Sequence, residues 1–257
     1  MDPLDYDNVD VIETCRNVTS PMHNRCGTEP PMSLLVKICG LSTPATLDAA
    51  LEEGADMVGF VFFLKSPRNI SIEAAAALAS RARGRAAIVA LTVDATDETL
   101  AEIVSALRPD LLQLHGHESP QRLVELRARF GVPLMKAIGV ATPRDLALAE
   151  AYAGADRLLL DAKPPRDASR PGGNGQSFDW TMLEGVAAKS TIKPSIMLSG
   201  GLDPDNVAEA IRVARPDGVD VSSGVERAPG LKDEAKIAAF IRAARAAASF
   251  DRSKIPA

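Results

Sequence analysis

Residues 34–62 read LLVKICGLSTPATLDAALEEGADMVGFVF. Two short apolar runs, Leu34–Cys39 and Met57–Phe62, flank an alanine-rich stretch, Thr43–Glu53. The runs are nearly continuous in apolar content, as strands buried on both faces are. The stretch between them opens on Thr43-Pro44, and a threonine followed by proline suits a helix N-terminus. Gly54 suits the helix C-cap, and Asp56 reads as a turn residue at the face opposite the chemistry. The segment is therefore predicted to be a βαβ unit with parallel strands.

Working outward, the alternation continues to the end of the chain. Further strands are predicted at Ala87–Val93, Leu111–His115, Leu134–Ile138, Arg157–Asp161, Ser195–Ser199 and Gly218–Ser222. Helices are predicted at Thr43–Glu53, Ser71–Arg81, Asp97–Leu107, Pro120–Phe130, Pro143–Tyr152, Trp180–Ala188, Pro204–Val213 and Lys232–Ala247. The phrase Glu53-Gly54-Ala55-Asp56 has a counterpart before the sixth strand, Ala153-Gly154-Ala155-Asp156. Eight βα units with no glycine-rich dinucleotide fingerprint predict a single closed (β/α)8 barrel, a TIM barrel, rather than an open doubly wound sheet. The 257 residues match the length of that fold, about 250 residues. The barrel domain is assigned to residues 33–257. Residues 1–32 carry Asp2, Asp5, Asp7 and Asp10 but neither a basic nor an apolar segment of a signal peptide, and are read as a disordered extension or a start-site artefact.

Composition narrows the function classes. A net charge of −5 offers no basic field for nucleic acid, and no apolar run nears the ~20 residues of a membrane span. Cys15, Cys26 and Cys39 are too few for a disulfide framework and lack zinc-site spacing, which fits a reducing cytoplasm. Asn17-Val18-Thr19 matches a glycosylation sequon, but nothing else in the sequence looks secreted. Subunit contacts are not readable from the outer helices, so monomer and homodimer both stand.

In such barrels the working residues lie at the C-terminal strand ends and in the loops that follow. Glycines after strands seven and eight let backbone N–H groups approach an anion, so Ser199, Gly200 and Gly201 with Ser222, Ser223 and Gly224 read as a phosphate cradle. That points to a small-molecule phosphosugar substrate. Cys39 ends strand one at a partly exposed position. It is either a structural thiol or, if neighbours lower its pKa from ~8.5, a general base. Asp161 ends strand six, where burial would raise its pKa and suit it to general-acid work; the other reading is a loop anchor. Arg68 follows strand two and could clamp a carboxylate bidentately. His115 follows strand four as a third proton-transfer group or a hydrogen-bonded side chain shaping the site. Residues 171–176, rich in glycine, are long enough to close as a lid, the other reading being a passive flexible loop.

An ordered series of motifs carries a resemblance. It comprises Val36-Lys37-Ile38-Cys39-Gly40-Leu41, Gly59-Phe60-Val61-Phe62 with Ser66-Pro67-Arg68, and Gln113-Leu114-His115-Gly116. It continues with Leu160-Asp161 followed by Gly172-Gly173-Asn174-Gly175, Leu198-Ser199-Gly200-Gly201-Leu202, and Asp220-Val221-Ser222-Ser223-Gly224-Val225-Glu226. From Val36 to Ala247 the chain resembles the phosphoribosylanthranilate isomerase family. The resemblance implies Cys39 as general base, Asp161 as general acid, Arg68 near the anthranilate carboxylate and the Gly/Ser loops on the substrate phosphate. It also implies an Amadori rearrangement in tryptophan biosynthesis that needs no metal or organic cofactor. The related aminoaldose isomerases of histidine biosynthesis share the phosphate loops but use an aspartate where Cys39 stands. The N-terminal extension lies outside the family pattern.

Overall fold

Strand β1 (Leu35–Cys39) pairs in parallel with β2 (Met57–Phe62) on one side and with β8 (Gly218–Val221) on the other, and this second pairing closes the barrel. A computed structural model of the chain describes residues 34–164, 171–173, 175–183 and 194–252, with side chains to residue 249. Between β2 and β8 run β3 (Ala87–Thr92), β4 (Leu111–Leu114), β5 (Leu134–Val140), β6 (Arg157–Ala162) and β7 (Ser195–Leu198), each paired with its sequence neighbours. The connecting helices are α1 (Pro44–Glu52), α2 (Ile72–Ala82), α3 (Asp97–Leu107), α4 (Pro120–Phe130), α5 (Pro143–Ala149) and α6 (Val207–Ala214), with α7 (Glu234–Arg252) following β8. The predicted TIM barrel is the observed fold.

The differences from the sequence reading lie at element ends. The fifth helix stops at Ala149 and a 3-10 turn completes it through Tyr152. Of the segment predicted as a helix over Trp180–Ala188, a 3-10 turn occupies Trp180–Leu183, and 184–188 lie outside the described residues, as does the 1–32 extension. Asp203 accepts from the backbone N–H groups of Asp205 and Asn206, holding a turn that delays α6 to Val207. Lys232, expected to open the last helix, instead lies in β10 (Leu231–Lys232). That strand pairs antiparallel with β9 (Glu226–Ala228) around Pro229-Gly230, where Gly230 adopts φ +82°. Strands this short leave no alternation to read.

Inside the barrel, alternate residues of each parallel strand point to the axis. Met57, Val89, Leu111, Met135, Ala137, Leu159 and Met197 form the apolar plug, and above it Cys39, Val61 and Leu91 form the floor of the C-terminal mouth. The opposite end is fastened by a repeated device. Asp56, Asp110, Asp156 and Asp217 each precede an even-numbered strand, and each accepts a hydrogen bond from a backbone N–H at the start of the preceding odd strand, at 2.6–2.8 Å. Their own N–H groups donate back to carbonyls of the same strands. The two Gly-Ala-Asp phrases are two of these clips. Among the described residues no helix is long and apolar enough to cross a membrane.

Candidate active site

A cavity of about 670 Å3, counting its open mouth, sits at the C-terminal end of the strands. Its lining includes Cys39, Arg68, His115, Asp161, Gly200, Gly201, Ser222 and Ser223. These eight expected residues come from six segments of the chain that only barrel closure brings together. Gly224 is not in the lining. It packs behind the rim, where a Cβ would collide with the Leu202 carbonyl oxygen.

Cys39 is 3% exposed, so the expected partly exposed thiol is a buried one. Burial pushes the thiol above its ordinary pKa. Lys37 and Lys232 pull it down and Asp220 pushes it up, and burial prevails. The lowering that general-base work would call for is thus not the net result: the cations are there, and desolvation outweighs them. Lys37, two residues back on β1, is fully buried, with Nζ 2.7 Å from Asp220 Oδ1. Ser199 Oγ donates to the other Asp220 oxygen at 3.1 Å. Burial would depress the lysine, but Asp220 and Cys39 beside it leave its pKa above the usual value.

Asp161, on β6, is 5% exposed. Its Oδ1 accepts from the Ala162 N–H at 2.8 Å, and Oδ2 lies 3.3 Å from His115 Nε2. On the far side of the imidazole, Gln113 Nε2 lies 3.1 Å from Nδ1. With Gln113 donating there, Nδ1 is an acceptor and the neutral ring carries its proton on Nε2, directed at Asp161. Gly172 fits over both groups: a Cβ there would come within 2.5 Å of His115 Nε2 and 2.6 Å of Asp161 Oδ2.

Arg68 is also buried, and the fork expected to face a ligand carboxylate is occupied by the protein. Its Nε and Nη2 donate to Glu226 at 2.6 and 2.9 Å, and Nη2 also reaches the Gly173 carbonyl at 3.3 Å. Nη1 also lies against Gly173. Glu226 is completed by Lys232 Nζ at 2.8 Å and the Gly230 N–H at 3.2 Å. Burial acts to raise the Glu226 carboxyl, but Arg68 and Lys232 outweigh it and hold the group below the usual glutamate range. Lys232 itself is depressed, chiefly by burial. Its Nζ also donates to the Ser222 carbonyl at 2.8 Å, while Ser222 Oγ donates to the Cys39 carbonyl at 3.1 Å, tying the eighth loop to the first strand.

Gly200 and Gly201 adopt φ +86° and +62°, and Cβ atoms there would clash with the Ala162 and Ser177 amides. Only glycine permits both the conformation and the approach. The described part of the segment expected as a lid lies across this region: Gly172 over Asp161, Gly173 over Arg68, and Gln176 against Gly201. Residues 165–170 and Asn174 lie outside the described residues. Sequence reasoning assigned no role to Lys37, Gln113, Asp220, Glu226 or Lys232. The available signal was a lysine and an aspartate of opposite charge at inward positions of otherwise apolar strands, Lys37 in β1 and Asp220 in β8.

This fold and site define an enzyme of the (β/α)8 class that handles a small molecule at the C-terminal mouth. A family model described as N-(5'phosphoribosyl)anthranilate (PRA) isomerase matches residues 36–243. The chain belongs to that family and is an isomerase of tryptophan biosynthesis. It is similar to the N-(5'-phosphoribosyl)anthranilate isomerase of Bradyrhizobium sp. (strain ORS 278), with 60% identity over 84% of this chain and 97% of the relative. A crystal structure of phosphoribosyl anthranilate isomerase from Thermotoga maritima is similar at TM-score 0.74 and 37% identity, covering 83% of this chain and 99% of that one. A structure of such an isomerase in complex with reduced 1-(o-carboxyphenylamino)-1-deoxyribulose 5-phosphate matches at TM-score 0.71 and 35% identity, covering 83% and 99%.

Proposed function

We propose that this chain converts N-(5-phosphoribosyl)anthranilate to 1-(2-carboxyphenylamino)-1-deoxyribulose 5-phosphate with Asp161 as general acid and Cys39 as general base. The observation that carries the assignment is that the carboxyl and thiol, from β6 and β1, line one cavity together with the glycine and serine loops after β7 and β8. Asp161 gives its proton to the furanose ring oxygen as the C1–O bond breaks, opening the sugar to an iminium. The iminium acidifies the hydrogen on C2, and the Cys39 thiolate takes it as the electron pair moves into the C1–C2 bond. The resulting enolamine gains a proton at C1 and loses one from the C2 hydroxyl, giving the ketone. The substrate's own iminium is the electron sink, so the route draws no electrons from a cofactor.

The backbone amides of Gly200, Gly201, Ser222 and Ser223 hold the phosphate, and Arg68 reads the anthranilate carboxylate through Nη1, oriented by Glu226. Gly224 acts by letting the eighth loop approach Leu202. His115 fixes the Asp161 carboxyl. Holding the phosphate remotely contributes binding energy that orients the sugar between acid and base. The substrate is a small phosphosugar and not nucleic acid, in keeping with a net charge of −5. All of these residues come from one chain, so a monomer or a homodimer serves equally, and the enzyme works in the cytoplasm. The test is loss of phosphoribosylanthranilate fluorescence with the purified full chain. A steady, enzyme-dependent decay is expected, and no decay with authentic substrate would refute the assignment.

A further inference from the structure

We propose that Lys37 is a positioning residue for this reaction: its ammonium, pinned by Asp220, pairs with the Cys39 thiolate and holds it facing the substrate. The inference rests on the reading of Cys39 as base and adds the group that makes a buried thiol usable as one.

Lys37 and Cys39 are alternate residues of β1 and project to the same side, the barrel interior. The neighbouring strand leaves room for them to meet. Gly59 pairs with Cys39 in register, and a Cβ on Gly59 would lie 3.1 Å from Cys39 Sγ and 3.3 Å from Lys37 Nζ. Both atoms therefore border the same small gap beside Gly59. On the other flank, Asp220 is in register with Lys37 across β8. One of its oxygens is 2.7 Å from Nζ and the other accepts from Ser199 Oγ. The aspartate is thus fixed, and it fixes the ammonium in turn.

A fully buried ammonium carries a desolvation penalty that a hydrophobic side chain filling the same volume would not. Asp220 neutralises the cation but uses only part of its capacity, since an ammonium has three donors. The Cys39 thiol is a further acceptor beside it. Among the described residues, the charged groups acting on Cys39 are Lys37 from its own strand, Asp220 from β8 and Lys232 from β10, while β2 presents Gly59 and Val61. Lys232 is committed to Glu226 and to the Ser222 carbonyl. Lys37 exerts the strongest of the pulls that oppose burial on the thiol. Without it the proton would be held more tightly still.

The experiment is the pH dependence of Cys39 alkylation by iodoacetamide in the full chain, read by mass spectrometry on the peptide carrying Cys39 so that Cys15 and Cys26 do not interfere. Lys37→Met should move the alkylation midpoint up by about one pH unit or more, which is about tenfold slower labelling near neutral pH. kcat/KM should fall in parallel with little change in KM. The double variant Lys37→Met/Asp220→Asn, which removes both charges and leaves none buried alone, should lie between the single variant and the parent. It carries the comparison if the single variant does not fold. Alkylation of both variants at the parental rate and midpoint would overturn the proposal. If alkylation shifts as expected while Cys39→Ser retains full turnover, the pairing stands and the reading of Cys39 as base fails.

Discussion

Glu226 grips Arg68 through two hydrogen bonds, 2.6 and 2.9 Å long, with each side chain only 5% exposed, so the orientation of the guanidinium is set from within the protein. Removing the carboxylate leaves Arg68 and Lys232 buried without their shared partner. Glu226→Ala is expected to lower stability by about 3–5 kcal/mol. Glu226→Gln keeps the shape and should raise KM several-fold more than it lowers kcat, because the role proposed for Arg68 is to read the substrate carboxylate and not to act on the reacting carbons. Steady-state kinetics on the folded Gln variant checks this, and a loss confined to kcat would speak against it.

The same pair sets a pH dependence of stability. The Glu226 carboxyl titrates below its ordinary value in the folded chain, Arg68 and Lys232 outweighing burial. Its contribution is therefore fully present above the unfolded value of about 4.3 and is lost as pH falls through the lower folded value. Thermal melts from pH 7 down to pH 3 should lose Tm more steeply in the parent than in Glu226→Gln. Parallel curves would contradict the assignment.

Gln113 and Asp161 meet opposite nitrogens of one imidazole. Gln113→Leu removes the donor that keeps Nδ1 unprotonated and frees the ring to take the other tautomer, turning its N–H away from Asp161. A fall in kcat of about tenfold is expected, on the low side of what a positioned acid supplies. His115→Asn, which keeps a donor near Asp161, should be milder than His115→Ala. Equal losses would mean that the ring contributes bulk alone.

At the other end of the barrel, Asp110 clips the Ile88 N–H at 2.8 Å and its own N–H returns to the Ile88 carbonyl. Asp110→Ala is expected to cost about 1–3 kcal/mol, leaving a strand N–H without its acceptor. At this chain length that is a Tm drop of very roughly 2–10 °C. Turnover of the folded variant should match the parent, since the clip lies at the face away from the cavity. A kinetic effect at temperatures where the variant is folded would show coupling between the two ends.

Much of this was legible in residues 34–62 and their repetitions. Strands buried on both faces announce themselves by unbroken apolar runs, and Cys39, Asp161, Arg68, His115 and the Gly/Ser loops stand where those runs stop. What the sequence hid is contact made by closure. Lys37 and Asp220 are 183 residues apart and touch only because β8 returns to β1. Arg68 and Glu226 are separated by 158 residues, and Glu226 sits in a hairpin too short to leave a pattern. For the same reason position alone suggested a partly exposed thiol at Cys39, whereas it is buried. Strand-end residues can be read from order along the chain, but their ionisation depends on neighbours that order does not disclose.

The most direct test of the account is turnover of phosphoribosylanthranilate, followed by its fluorescence, for the parent, Cys39→Ser and Asp161→Asn. Each variant keeps the cavity's shape while removing the proposed base or the proposed acid. A drop in kcat of about 10² or more in each, with folding intact, is the predicted result. Near-parental turnover in both would contradict the assignment of Cys39 and Asp161 as the proton-transfer pair.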